Sequence, residues 1–156
     1  MNIKRRVFLK GSMATGTLGV AAAAGLLSPT AVLAAWPEAA FKAKKVDEVL
    51  TNLMGSSEMS DSAEIKIKAP DIAENGTVVP ISVTTTMSGI ESIAIVVANN
   101  PSPLVASFNP GAGAEGFVST RIKMGKTSDV IAVVKADGKL HSARKEVKVT
   151  IGGCGG

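Results

Sequence analysis

The sequence has one cysteine, Cys154, one histidine, His141, and no tyrosine, and aromatic residues make up only 3% of it. A metal site built from nitrogen and sulfur ligands normally needs three or four of them, and here the two candidates lie 13 positions apart. A lone cysteine cannot form an internal disulfide, so the inter-sheet bridge of antibody domains is excluded. These absences predict a chain with no metal centre, no cofactor and no catalytic motif of its own.

The sequence also lacks an apolar run long enough to cross a membrane. Its start carries four basic residues, then an apolar stretch from about Leu18 to Leu27 and an A-x-A-like ending at 32–35, as in a secretory signal. That stretch is shorter than the roughly 20 residues a span needs, so no membrane anchor is expected. Arg5 and Arg6 open the run RRVFLK, which resembles the twin-arginine export signal. We therefore expect a signal peptide over 1–34 and a periplasmic location.

Without that segment the chain has no charge excess. Of the 17 Lys and Arg, four lie in the first 34 residues, which leaves 13 against 13 Asp and Glu. The basic character of the whole sequence thus belongs to the signal, and with few aromatic residues nothing favours nucleic-acid binding.

The next segment, 37–54, predicts one amphipathic helix that begins at Pro37 and ends before Gly55. Residues 56–62 are polar and are expected to form a connection. The remainder predicts about seven short strands, with turn signals at Asn75-Gly76 and Asp137-Gly138. Pro80 cannot donate to a ladder, so its strand should have an edge or a bulge there. The predicted fold is a mainly β, antiparallel β-sandwich over 35–151 with one N-terminal α-helix.

The chain ends in GGCGG, in which Gly152, Gly153, Gly155 and Gly156 flank Cys154. Glycine takes both signs of φ, so residues 152–156 are predicted to form a flexible arm. A thiol without basic neighbours keeps a pKa of about 8.5, which makes it a poor enzyme nucleophile. An odd cysteine in an exported protein indicates intermolecular pairing or a reactive thiol. Cys154 is therefore the predicted attachment point for a covalently bound group.

Other candidates are weaker. His141 lies in an alternating strand and is expected to be a surface or packing residue. Five bulky apolar residues allow two interpretations, either core and loop packing or a patch that faces a partner. They are Met87, Ile90, Leu104, Val105 and Phe117.

The twin-arginine start, the single helix, the small β-domain and the terminal GGCGG together resemble the SoxY family, the sulfur-carrying subunits of thiosulfate oxidation. The resemblance implies an immunoglobulin-like sandwich that pairs with a SoxZ-like subunit and is not an enzyme. It implies that Cys154 receives thiosulfate through a c-type cytochrome and carries thiosulfonate, persulfide and sulfonate intermediates. A sulfate thiohydrolase and a sulfane dehydrogenase would then act on that cargo.

Three other interpretations stay open. A thiocarboxylate carrier also ends in Gly-Gly, but it needs ATP, which the periplasm lacks. An exported interaction module could use Cys154 for an intermolecular disulfide. An enzyme in its own right has the least support, because no second catalytic group accompanies the thiol.

Overall fold

The computed structural model describes residues 37–111 and 113–150. The predicted export signal with Arg5 and Arg6, and the predicted arm with Cys154, lie outside these ranges. The described residues form two helices and nine strands, in chain order α1 Glu38–Lys42, α2 Val46–Met54, β1 Met59–Asp61, β2 Ile65–Lys68, β3 Ile72–Ala73, β4 Val79–Thr85, β5 Ile90–Val97, β6 Leu104–Phe108, β7 Phe117–Ile122, β8 Ser128–Ala136 and β9 Lys139–Val149.

The strands form two sheets. The larger has the order β1-β9-β8-β5-β6, with β3 also paired to β9, and the smaller has the order β2-β4-β7. Neighbouring strands are antiparallel, except that β1 and β3 both run parallel to β9. Because their alternating apolar side chains point towards one another, the two sheets enclose a shared core that includes Val83, Ile95 and Val134. The predicted β-sandwich is confirmed.

The helices cover the outer face of the larger sheet. Leu50 and Val49 of α2 are fully buried against a second apolar cluster that contains Val96 and Val133. Strands β5 and β8 therefore bury side chains on both faces, which explains why 93–98, IAIVVA, is a continuously apolar run rather than an alternating one.

The helical region differs from the single helix predicted over 37–54. Ala43 is extended, with φ −60° and ψ 145°, and Lys45 is extended as well, so α1 and α2 are separate. The break lets Ala40 and Ala43 of the first segment and Leu50 of the second join the same apolar cluster. No glycine or proline lies at the break between α1 and α2. Packing on the sheet produces the break, and not the local sequence.

Turn chemistry agrees with the sequence. Asp137 and Gly138 both have positive φ, 49° and 74°, as a two-residue type I′ hairpin turn between β8 and β9 requires. Pro80 lies in β4 opposite Arg121 of β7, beyond Ser82, the last residue of β4 that pairs with β2. Its missing N–H therefore falls where β4 has a neighbour on one side only, as predicted. Within the described ranges no helix is long and apolar enough to cross a membrane.

Candidate functional site at the end of strand β9

The predicted site residues Cys154, Gly152, Gly153, Gly155 and Gly156 lie outside the described part of the chain. The structure does describe the point from which they depart, since β9 ends at Val149 and Thr150 is the last described residue. Cys154 follows Thr150 by four positions, so an extended chain carries the cysteine at most about 14 Å from this point. The reach of the thiol is therefore set by the end of β9.

The segment around β3 holds that end from one side. Ile72 and Ala73 pair with Lys148 and Val149 in parallel register. The N–H of Lys148 donates to the carbonyl of Asp71 over 3.0 Å, and the N–H of Thr150 donates to that of Ala73 over 3.1 Å. The chain is thus hydrogen-bonded through the end of β9 to Thr150, the last described residue.

An ion pair ties the same segment to β9 further back. The ammonium group of Lys145 lies 3.0 Å from a carboxylate oxygen of Asp71 and donates to the carbonyl of Ala69 over 2.8 Å. Asp71 is largely exposed, so solvent screens the pair and its contribution to stability is small. Its effect is to place 69–73 beside β9.

The loop between β7 and β8 holds the end of β9 from the other side. The N–H of Val149 donates to the hydroxyl of Thr127 over 3.0 Å. Asn99 in turn donates its side-chain amide to the carbonyl of Thr127 over 3.2 Å and its N–H to the hydroxyl of Ser128 over 2.9 Å. Three loops at one end of the sandwich therefore meet at the base of the arm.

Gly76 is tightly packed within this base. A Cβ there would overlap the carbonyl oxygen of Met124 and lie 2.8 Å from Cγ1 of Val149. The carbonyl of Gly76 also accepts the N–H of Met124 over 2.7 Å. Only glycine fits between these two segments, so the Asn75-Gly76 turn predicted from sequence has a second role in seating the end of β9.

Neither Thr127 nor Ala73 stood out in the sequence. Thr127 lies in a short loop, MGKT, that resembles many connections, and Ala73 belongs to a two-residue strand. The only local signal was Asn75-Gly76. We call Ala73, Gly76, Thr127, Val149 and Thr150 the arm base.

His141, the weaker sequence candidate, lies elsewhere. It precedes Val149 by eight positions in β9, which is about 27 Å along an extended strand. Its Nδ1 lies 3.2 Å from the hydroxyl of Ser60 in β1. Within the described ranges no group of three or more potential metal ligands occurs.

The five apolar candidates separate into two kinds. Leu104 is buried, and Met87, Ile90 and Val105 are half-buried and pack against the core between the sheets. Phe117 is different, because 53% of it is exposed at the start of β7. Packing explains four of the five, and Phe117 alone among them remains available to a partner.

Together these features define a class of protein: a small β-sandwich with a helical cover, whose last strand is clamped immediately before a terminal cysteine segment. The family model of the sulfur oxidation protein SoxY matches residues 50–154. A solved structure of the sulfur carrier protein SoxY from Chlorobium limicola f. thiosulfatophilum is 45% identical, with a TM-score of 0.63 over 69% of this chain and 97% of that one. This chain belongs to the SoxY family, as its sequence indicated.

A more distant likeness concerns the fold alone. Superoxide reductase (neelaredoxin) from Ignicoccus hospitalis superimposes with a TM-score of 0.52 at 19% identity, over 59% of this chain and 94% of that one. A search of curated proteins found no match to this sequence.

Proposed function

We propose that this protein is a covalent sulfur carrier of thiosulfate oxidation, with Cys154 as the attachment site and residues 152–156 as a swinging arm. The observation that carries the proposal is the placement of the chain's only cysteine four positions after Thr150, at a strand end that three loops hold in place. The sulfur-carrier role of the 45% identical SoxY protein supports it.

The chemistry needs only the thiol from this chain. Oxidative conjugation joins the sulfur of Cys154 to thiosulfate and releases one proton and two electrons, which a c-type cytochrome accepts. Hydrolysis of the resulting thiosulfonate with one water gives sulfate, a proton and a cysteine persulfide. A sulfane dehydrogenase oxidises the outer persulfide sulfur with three waters to a sulfonate; this step releases seven protons and six electrons, and the dehydrogenase accepts the electrons. A second hydrolysis with one water gives sulfate and a proton and restores the thiol.

In this proposal the protein carries intermediates and catalyses no step, and it holds no cofactor. The fixed base supports this division of roles. The end of β9, held in place by its neighbours, sets the origin of the arm. The glycines beside the sulfur have no side chains, so they leave its cargo unshielded in an enzyme's channel. His141, the only histidine, lies far from the arm base and serves no step.

The proposed partners follow from the same role. A SoxZ-like subunit forms a heterodimer with this chain, and the cytochrome, the sulfate thiohydrolase and the sulfane dehydrogenase bind it transiently. The proposed location is the periplasm, reached through the signal at Arg5-Arg6. Neither nucleic acid nor a membrane anchor has a part in the proposal.

Replacing the thiol tests the attachment site. Cys154→Ser should abolish sulfur loading and thiosulfate oxidation in cells. In the same background, Glu48→Cys returns one thiol to an exposed position of α2. It should not restore activity, because a thiol without the arm cannot enter an enzyme. Sulfur loading that survives Cys154→Ser would instead indicate a thiocarboxylate carrier, and a stable disulfide to a partner that turnover does not change would indicate an interaction module.

A further inference from the structure

The outward face of the smaller sheet differs in charge from the rest of the molecule. Within the strands, its positions that alternate with the core residues carry three cations and no carboxylate, whereas Glu64 and Glu115 lie just before β2 and β7 in the same alternation. These strand positions are Lys66, Lys68, Pro80, Ser82, Thr84, Phe117, Ser119 and Arg121. We call this set the basic face. Positive and negative side chains balance over 35–156. Three cations on the strands of one small sheet therefore give this face more positive charge than the average surface of the protein.

The cations of the basic face are also free of ion pairs in the described ranges. The three ion pairs found there join Lys42, Lys135 and Lys145 to carboxylates on other parts of the molecule. Lys66, Lys68 and Arg121 are exposed and make none with the residues that the structure describes. An unneutralised patch of this kind attracts and orients an acidic partner.

Exposed apolar groups accompany the charges. Phe117 is 53% exposed beside Thr84, and Val78, 51% exposed, precedes β4 in the same alternation phase as Pro80. Of the three large apolar side chains exposed in the described ranges, Phe117 therefore belongs to this face and Val78 borders it. Aromatic and arginine side chains are the residues enriched at the centres of protein interfaces.

The basic face leads to the arm base. Beyond Arg121 the chain continues through Lys123 to Met124, which is hydrogen-bonded to Gly76. Gly76 itself lies against Val149, the last residue of β9. The face extends about 13 Å along β4 from Thr84 to Pro80 and about 10 Å across three strands. A protein bound on it would have the origin of the arm at its edge.

We propose that the basic face docks the acidic surface of a globular protein that acts on the cargo of Cys154. The inference rests on the proposed function, because the arm gives the docked protein its substrate. A contact of these dimensions is well below the roughly 800 Å² per partner of a stable complex, so the association is weak and transient. Its charges act mainly on the association rate.

A protein surface fits better than a polyphosphate or a lipid layer. The cations are interrupted by hydroxyl groups, among them Ser82 and Ser119, whose side chains are hydrogen-bonded over 3.0 Å. The basic face, with one aromatic group, offers no helix or wedge that enters a nucleic-acid groove, and it has no apolar stripe that would insert between lipids.

The test uses the full chain with its SoxZ-like subunit and three purified probes: the c-type cytochrome, the sulfate thiohydrolase and the sulfane dehydrogenase. Lys66→Glu/Lys68→Glu reverses two charges of the basic face. Lys45→Glu/Lys139→Glu makes the same change in net charge at exposed sites beside the helix and on the hairpin. Association rates are measured at about 20 mM and about 200 mM salt, on the order of a 20 Å and a 7 Å screening length.

For at least one probe, we expect the face variant to lower the association rate at low salt about tenfold and to flatten its salt dependence, while the control changes it less than about twofold. Equal rates for both variants with every probe would overturn the proposal, as would failure of every probe to bind the unsubstituted protein. Selective loss of binding to anionic vesicles or to a DNA duplex, with protein binding unchanged, would also overturn it. If Cys154 still acquires sulfur in those cases, only the docking proposal fails.

Discussion

Substituting Gly76 with alanine is the sharpest test of how the arm base is built. The added Cβ meets the backbone carbonyl of Met124 and a methyl group of Val149 that is 2.8 Å away. A backbone oxygen cannot rotate aside, so β9 and the loop that holds Met124 must separate. Overpacking of this kind costs about 1–3 kcal/mol. Alanine also reduces the entropy of the unfolded chain, which offsets about 0.4–1 kcal/mol of that cost. Because the overlap is with a backbone oxygen, we take the upper part of the first range, about 2–3 kcal/mol, and the expected net loss is about 1–2.6 kcal/mol.

Urea unfolding monitored by circular dichroism measures this loss of unfolding free energy. In thermal unfolding, a domain of this size should show a decrease in Tm of roughly 4 °C per kcal/mol. Gly125→Ala is the matched control, because its nearest atom would be the side-chain oxygen of Asn100 at 4.0 Å. The control should leave stability unchanged or raise it slightly. A Gly76→Ala variant as stable as the unsubstituted protein would refute the close packing of β9 against 76 and 124.

Three further predictions follow from other parts of the molecule. Thr127→Val removes the acceptor for the N–H of Val149 and should cost about 1 kcal/mol while speeding hydrogen exchange at Val149, and Thr127→Ser should do neither. Leu50→Ala empties a fully buried position between α2 and the larger sheet and should cost about 2–5 kcal/mol by chemical denaturation. The pKa of Glu91 lies below its ordinary value of 4.5, first because the N–H of Gly138 donates to its carboxylate and second because Lys135 hydrogen-bonds to it. Its contribution to stability is therefore present above pH 4.5 and is lost as the pH falls through the lowered value, and NMR titration of Lys135→Met should move the pKa upward.

The sequence predicted most of the sandwich because its strands carry clear alternation or continuous apolar runs. Strand β2, IKIK, shows such an alternation, and the Asp137-Gly138 turn required residues that accept positive φ. Strands β1 and β3 were missed: residues 56–62 were expected to be only a polar connection. Each is two or three residues long, and each exists because the exposed edge of β9 accepts a parallel neighbour. That is a tertiary effect which no local pattern records.

The candidate site divides in the same way. A cysteine between two glycine pairs identifies the attachment point from composition alone. The residues that hold the start of the arm come from segments 22 to 77 positions away, joined by hydrogen bonds whose partners no local pattern marks. Gly76 was predicted as a turn residue, but its fit against Val149 depends on how β9 passes the turn. The basic face likewise appears only when the register of β2, β4 and β7 aligns Lys66, Lys68 and Arg121.

The intact mass of the mature protein, purified without reductant from cells grown on thiosulfate, tests the central claim most directly. We expect thiol-reducible adducts with the mass of a thiosulfonate or a persulfide, localised to the peptide that contains Cys154. Finding only free thiol and plain disulfide dimer, while partners are present and thiosulfate is being consumed, would contradict a covalent sulfur carrier.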